Sequence, residues 1–305
     1  MKILLTGGNG MVGQNILENA NLKKYTFLSP SSKELDLLDY DVVSSYIKKN
    51  KPEFIIHAAG LVGGIQANIK NPVKFLVKNT DIGRNILLAA HDNKVQNVLN
   101  LGSSCMYPKD AENPLKEELI LKGELEPTNE GYALAKIYTA RLCEYISNEN
   151  LYFNYKTAIP CNLYGKFDKF SPQNSHMIPA VIKKIIDAKN NNTEVTIWGN
   201  GTARREFMYT EDLADFVFYA IDNFNEMPQN VNVGLGKDYT IKEYYNAIAK
   251  EVNYTGNFNY DLTKPVGMMQ KLVDITKLKE FGWESKTTLE EGIKKTIQFY
   301  KNNYN

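Results

Sequence analysis

No long apolar run and no excess of charge of one sign marks this chain of 305 residues. Its 36 lysines and arginines face 35 aspartates and glutamates, a formal net charge of +1. That balance gives no electrostatic footprint for nucleic acid or a membrane surface. Nothing approaches the roughly 20 apolar residues that a membrane-crossing helix needs. The three cysteines, Cys105, Cys143 and Cys161, show neither paired spacing nor a metal-ligand pattern. A disulfide framework and a metal centre are therefore not expected, and a reducing compartment is. A basic-plus-apolar leader, internal repeats and low-complexity tracts are also lacking, so a cytoplasmic protein is the expectation.

What the chain does have is alternation of short apolar strands with helical patterns. Its composition, 43% hydrophobic and 23% charged, is that of a globular protein with a sizeable core. Lys2–Thr6 reads as a strand running into Gly7, Gly8, Asn9, Gly10, Met11, Val12 and Gly13, and helical spacing follows. Strand, glycine turn and helix form the context for dinucleotide binding, because missing side chains let backbone N–H groups reach a pyrophosphate. A bare tight turn is the plainer alternative. Tyr25–Leu28 is the second strand pattern, followed by Ser29-Pro30-Ser31-Ser32-Lys33 with no acidic residue before Glu34. Hydroxyls with a lysine suit a 2′-phosphate, so NADP is favoured over NAD. Asp36 is placed near the adenine, and Asp39 as the cap of a helix over 40–50.

Phe54–His57 is a third strand, and Ala58, Ala59 and Gly60 leave room for a cofactor at its carboxyl end. His57 reads as an interior histidine. Pro72–Asn93 is a long helix whose Asn79 faces the sheet. The stretch from Leu101 to Lys136 holds the chemistry. Ser103 falls where the fourth strand ends, and Tyr132 and Lys136 lie four residues apart on one helix face. A serine, a tyrosine and a lysine together can protonate a carbonyl oxygen, with the lysine charge expected to lower the tyrosine pKa. Tyr152/Lys156 and Tyr260/Lys264 repeat the spacing but sit in a strand pattern and a turn-rich segment, so both are set aside.

Beyond residue 165 the rhythm changes. Lys166–His176 is irregular and polar, as suits a substrate loop. A helix over 177–190 and a strand over 194–198 follow, with Thr210 and Thr240 as candidate N-caps. Thr240/Glu243 and Thr288/Glu291 have capping-box spacing. The expected architecture is α/β: a Rossmann-type doubly wound parallel sheet over 1–165 with return segments from about 203–235, and a smaller α/β substrate lobe over 166–305. No linker separates the two.

With these residues placed, the chain resembles the extended short-chain dehydrogenase/reductases, and within them the GDP-L-fucose synthase group. The segments that carry the likeness are Gly10–Gly13, Val62–Ile65, Gly102–Pro108, Glu126–Glu130, Asn162–Gly165, Asn174–His176 and Trp198-Gly199. The resemblance implies NADPH in the glycine turn, reaching Leu101, Gly102, Ser104, Pro160, Asn162, Leu163 and His176. It implies a Ser103/Tyr132/Lys136 reductive set, with Lys136 also on the nicotinamide ribose. Cys105 and His176 would move protons at C3 and C5, next to a C4 ketone. Lys184, Trp198, Arg205 and Lys271 would hold a GDP-linked 4-keto-6-deoxy-sugar, and the enzyme would be a homodimer. In this chain Asn9 and Pro30–Lys33 stand where the group carries arginines, and Thr202-Ala203 and Val266–Met269 also depart from its pattern. A deoxyheptose substrate, reduction without epimerisation and a UDP-sugar 4-epimerase are the alternatives. A 4,6-dehydratase lacks its carboxylates at Ser104-Cys105-Met106, and a non-catalytic cofactor sensor would not need Tyr132 and Lys136.

Overall fold

The computed structural model of the chain describes residues 1–170, 175–264 and 267–304. Asn174 and Val266, two of the motif residues above, lie outside them. In chain order the elements are β1 (Lys2–Thr6), α1 (Met11–Glu18), β2 (Thr26–Leu28), α2 (Tyr40–Asn50), β3 (Phe54–His57), α3 (Ile65–Lys70), α4 (Pro72–Asp92), β4 (Asn97–Leu101), α5 (Glu130–Glu149) and β5 (Asn154–Pro160). Then come β6 (Asn162–Tyr164), α6 (Met177–Asn191), β7 (Val195–Trp198), β8 (Arg204–Arg205), β9 (Phe207–Tyr209), α7 (Thr210–Asp222) and β10 (Asn230–Val233). The chain ends with β11 (Tyr239–Thr240), α8 (Ile241–Val252), β12 (Phe258–Asp261), β13 (Gln270–Lys271), α9 (Thr276–Phe281) and α10 (Leu289–Tyr304).

The central sheet has six parallel strands in the order β10-β5-β4-β3-β1-β2. Consecutive residues divide between its faces, as the pleat requires. Ile3, Leu5, Ile56 and Leu99 enter one core with α1 and α7, while Leu4, Ile55 and Val98 enter another with α2 and α4. Burial on both faces explains the continuous apolar strands, and short local signals end the helices. Asp39 Oδ1 accepts the Val42 N–H at 3.1 Å, and Thr240 with Glu243 closes a full capping box on α8. Thr288 and Glu291 exchange the same pair of bonds ahead of α10.

A third core gathers α6, α8 and α10 around Ile182, Ile185, Ile197, Tyr244, Ile248 and Ile293. Two buried carboxylates join it to the sheet. Glu206 accepts N–H groups from Leu235, Gly236 and Val273 at 2.6, 2.9 and 2.9 Å, which offsets the cost of burying it. Burial still pushes its carboxyl up to about 7. Asp238 takes Arg204 Nε at 2.8 Å and Gln270 Nε2 at 2.7 Å, so β8 and β13 are held side by side.

Three expectations are corrected here. Thr210 is not an N-cap: Tyr209 precedes α7, and the Thr210 hydroxyl donates to the Tyr164 carbonyl at 2.8 Å, fixing β6 to α7. Tyr152 sits in the turn before β5, because β5 begins only at Asn154. Tyr260 lies in β12, where pairing with β7 overrides the turn-forming residues around it.

Candidate active site

The parallel strands deliver their carboxyl ends to one edge, and the candidate residues collect there. β1 leads into the glycine turn, where Gly7 has φ +77° and its backbone packs against Ala58 and Ala59. A Cβ on Gly13 would lie 2.3 Å from the Gly7 carbonyl oxygen, so α1 can approach the turn this closely only without a side chain there. Asn9 and Gly10 are exposed, and no side chain caps the N-terminus of α1. This cradle fits the pyrophosphate of a dinucleotide, with Met11 and Val12 in the first helical turn. The Ser29 hydroxyl lies against Gly8, at 1.8 Å from where a Cβ would be. Glu34 folds back onto the N–H and hydroxyl of Ser31, at 2.7 and 2.8 Å, which leaves the hydroxyl-and-lysine loop without a carboxylate aimed at the ribose. Asp36 is exposed and caps the Leu38 N–H.

At the end of β3, Ala58, Ala59 and Gly60 form the floor, and Asn79 of α4 holds the next residue by both its N–H and its carbonyl (Leu61, 2.7 and 3.1 Å). His57 is buried against the Thr6 hydroxyl at 2.9 Å, and burial drives its pKa down to about 3. It is a neutral interior side chain.

The end of β4 turns at Gly102 and Ser103 into a 3-10 turn over Ser104–Met106. The Ser103 hydroxyl accepts the Cys105 N–H at 3.2 Å and lies near enough to Tyr132 to favour its ionised form. Lys136, buried one turn along α5, donates to the Leu101 carbonyl at 2.8 Å, and its ammonium lies 5.9 Å from the Tyr132 ring centre. The expected lowering of the tyrosine pKa is not found. Burial, with the Cys105 charge next, pushes the Tyr132 phenol up, while burial pulls Lys136 down to about 8. Desolvation is the largest cause of both shifts. The phenol is therefore held protonated at neutral pH, as a proton donor to a carbonyl oxygen must be.

The Cys105 sulphur receives Asn129 Nδ2 at 3.2 Å and Lys271 Nζ at 3.5 Å. Lys271 and Arg205 are register neighbours in β13 and β8. Burial lowers the Arg205 pKa. Lys184 on α6 donates to the Thr196 carbonyl at 2.8 Å, and Trp198, two residues on, is half exposed under the Lys264 ammonium. Pro160 ends β5, and Asn162, donating to the Glu206 carbonyl at 2.8 Å, begins β6 with Leu163. His176 stands before α6, after Ser175 whose carbonyl lies against Gly64, with its imidazole pKa lowered by burial first and by Lys169 second. Among the described residues no hydrogen bond joins it to Cys105. Thus Ser103, Cys105, Tyr132, Lys136 and Lys271 form one cluster, with Lys184 on α6 and Trp198 on β7 set apart. Asn129 and Asp168 received no role from the sequence. Asn129 falls in the Glu126–Glu130 motif, whereas nothing local marks Asp168.

A glycine cradle facing a serine, a tyrosine and a lysine defines a nicotinamide-dependent oxidoreductase acting on carbonyls. The chain belongs to the NAD dependent epimerase/dehydratase family, whose profile matches residues 3–234. It is 64% identical over 306 residues to the GDP-L-colitose synthase of Yersinia pseudotuberculosis, covering 100% of this chain and 99% of that one. It is 47% identical to the GDP-L-fucose synthase of Azorhizobium caulinodans, over 98% and 96% of the two chains. Among solved structures, a GDP-mannoheptose C4 reductase from Campylobacter jejuni with NADP bound superposes with a TM-score of 0.88 at 32% identity, over 98% of each chain.

The loop that leads to His176 carries its own pH signature. Asp168 is 5% exposed; one oxygen accepts the Lys169 N–H at 2.7 Å, and Oδ2 has no hydrogen-bond partner among the described residues. Burial pushes this carboxyl up to about 7, so the folded protein holds a proton that the unfolded chain releases near 4. Stability must then fall as pH rises from about 4 to about 7. Asp168→Asn removes that slope. Its stability relative to the parent should be higher at pH 8 than at pH 5 by on the order of 2–3 kcal/mol in chemical denaturation. An equal difference at both pH values would show that the carboxyl does not carry the proton.

Proposed function

We propose that the protein is an NADPH-dependent reductase of the C4 ketone of a GDP-linked 4-keto-6-deoxy-sugar, with epimerisation beside the ketone. The single observation that carries this is the Ser103/Tyr132/Lys136 cluster at the sheet edge facing the glycine turn, with Cys105 next to it. The colitose and fucose synthases, at 64% and 47% identity, support a GDP-linked sugar of the colitose or fucose kind over a GDP-linked heptose, whose reductase stands at 32%. The NADP-bound reductase and the loop of hydroxyls with Lys33 support NADPH. Bound there, that cofactor supplies the hydride that C4 accepts.

The chain's own residues do the rest. Tyr132, protonated because it is buried, gives its proton to the C4 oxygen, and Ser103 orients both. Lys136 is fixed at the Leu101 carbonyl, 3.9 Å from the Cβ position of Gly60, where it can meet a ribose hydroxyl. A C4 ketone acidifies the C–H bonds on its neighbouring carbons. Cys105 removes such a proton and His176 returns one to the opposite face, which inverts the centre. Arg205 and Lys271 meet the diphosphate and sugar, and Lys184 and Trp198 take the nucleoside end. The sheet over 1–165, completed by the return segments within 203–235, serves the cofactor, and the lobe over 166–305 mainly serves the sugar nucleotide.

We also propose a homodimer in the reducing cytoplasm, where the three thiols stay free. No helix among the described residues is long and apolar enough to cross a membrane. Val73, Leu76 and Val77 on α4, and Leu134, Tyr138 and Tyr145 on α5, are exposed at helical spacing on two packed helices. A second copy of the same face would cover them.

Tyr132→Phe should lower the reduction rate by three orders of magnitude or more while NADPH affinity stays within about twofold; unchanged turnover of a GDP-4-keto-sugar panel would reject the mechanism. In D2O, Cys105→Ser should leave C3 and C5 of the sugar unlabelled by NMR, whereas equal labelling in both proteins would remove Cys105 from proton transfer. Light scattering on the Val77→Glu/Tyr138→Glu variant should give a monomer mass against a dimer for the parent. A monomeric parent would rule out the dimer.

A further inference from the structure

The sulphur of Cys105 is approached by two N–H donors and by no acceptor among the described residues. We propose that Lys271 and Asn129 are positioning residues that hold Cys105 as a thiolate, ready to take a proton from carbon. This rests on the reading of Cys105 as a proton-transfer group and specifies how the chain prepares it. A thiol would turn its S–H toward an acceptor, but a lysine ammonium has only protons to offer. The sulphur is therefore placed to accept from both sides. Lys271 is 9% exposed, so water screens its charge little at 3.5 Å.

Asn129 supplies the second, independent observation. It stands at the N-cap of α5, a position at which asparagine usually satisfies a helical N–H with its own side chain. Here it makes no such bond. Its Nδ2 is spent on Cys105 instead, and its Oδ1 is buried without a hydrogen-bond partner among the described residues. The cap is given up and the sulphur gains a donor, next to the partial positive charge of the α5 N-terminus.

The backbone holds Lys271 in place on both flanks. The Leu272 N–H donates to Asn113 Oδ1 at 2.8 Å, the Leu115 N–H to the Leu272 carbonyl at 2.8 Å, and the Val273 N–H to Glu206 at 2.9 Å. The Glu206 N–H in turn bonds the Lys271 carbonyl at 3.2 Å. The titratable groups that share the sulphur's surroundings are Tyr132 and Lys136 on α5, Lys271 on β13 and, beside it on β8, Arg205. Negative charge on Cys105 raises both Tyr132 and Lys136. It therefore also helps keep the reductive phenol protonated, which links the two halves of the site. Taking a proton converts Cys105 to the neutral thiol and leaves the substrate as an enolate delocalised onto the C4 oxygen, so charge and protons balance without a further reactant.

Alkylation by iodoacetamide reads the thiolate directly and needs no sugar substrate. The full chain would be treated from pH 6 to pH 10, with Cys105 followed by peptide mass spectrometry and Cys105→Ser giving the background from Cys143 and Cys161. Lys271→Met should slow Cys105 alkylation about tenfold at pH 7, and the gap should close toward pH 10, where any thiol ionises. Lys271→Arg, which keeps the charge, should restore most of the rate. Asn129→Ala should give a smaller loss with the same pH trend, and it tests the cradle should Lys271→Met fold poorly. Equal rates at pH 7, or a difference that does not change with pH, would overturn the proposal. Such a failure leaves the reductase reading standing. Conversely, a normal alkylation profile with no deuterium entering the sugar would sink the epimerase reading and leave the cradle intact.

Discussion

The buried ammonium of Lys136 on the Leu101 carbonyl is the interaction around which the site is built. A charge without water is costly unless a strong acceptor meets it, and a carbonyl at the end of a parallel strand is one of the few such groups available. That bond fixes the rotation of α5 relative to β4. Tyr132 comes one helical turn earlier and Ser103 two residues beyond the carbonyl, so all three are placed by one contact. Its electrostatic side effect runs against intuition. The phenol responds mainly to its own burial and keeps its proton.

The second lobe acts on the same edge through Glu206 and Asp238. These carboxylates hold β8, the exit of β10 and the β13 segment together across gaps of 29 to 67 residues. The outcome is that Arg205 and Lys271 stand side by side in register, and Lys271 reaches the cluster that β4 and α5 assemble. In the proposed reaction, reduction and carbanion chemistry share one oxygen: the ketone that accepts hydride is the one that acidifies its neighbours.

Local chemistry was legible in the sequence, and distant chemistry was not. The strand–glycine–helix start, the alternation that gives a parallel sheet, the Asp39 cap and the Thr240/Glu243 box all depend on residues within a few positions of one another. Thr210 was misread as a cap because its hydroxyl partner, the Tyr164 carbonyl, lies 46 positions away. Tyr260 looked like turn and became strand because β7 was there to pair with it. The Cys105–Lys271 contact spans 166 positions and no local pattern reports it. The direction of the Tyr132 shift was missed for a similar reason. Charge proximity can be read from spacing, whereas desolvation needs the whole fold.

One feature of the sheet bears on how the protein is made. Its β10 strand, which pairs with β5, comes from residues Asn230–Val233, far downstream of the other five strands. Lys156 of β5 likewise donates to the carbonyls of Phe224, Asn225 and Met227. While the nascent chain is still leaving the ribosome, β5 is an apolar margin with open backbone groups and an unmatched cation. The cofactor half thus cannot close early as an autonomous unit. Its completion waits for the substrate half, so a polypeptide interrupted between the two emerges sticky rather than half-functional.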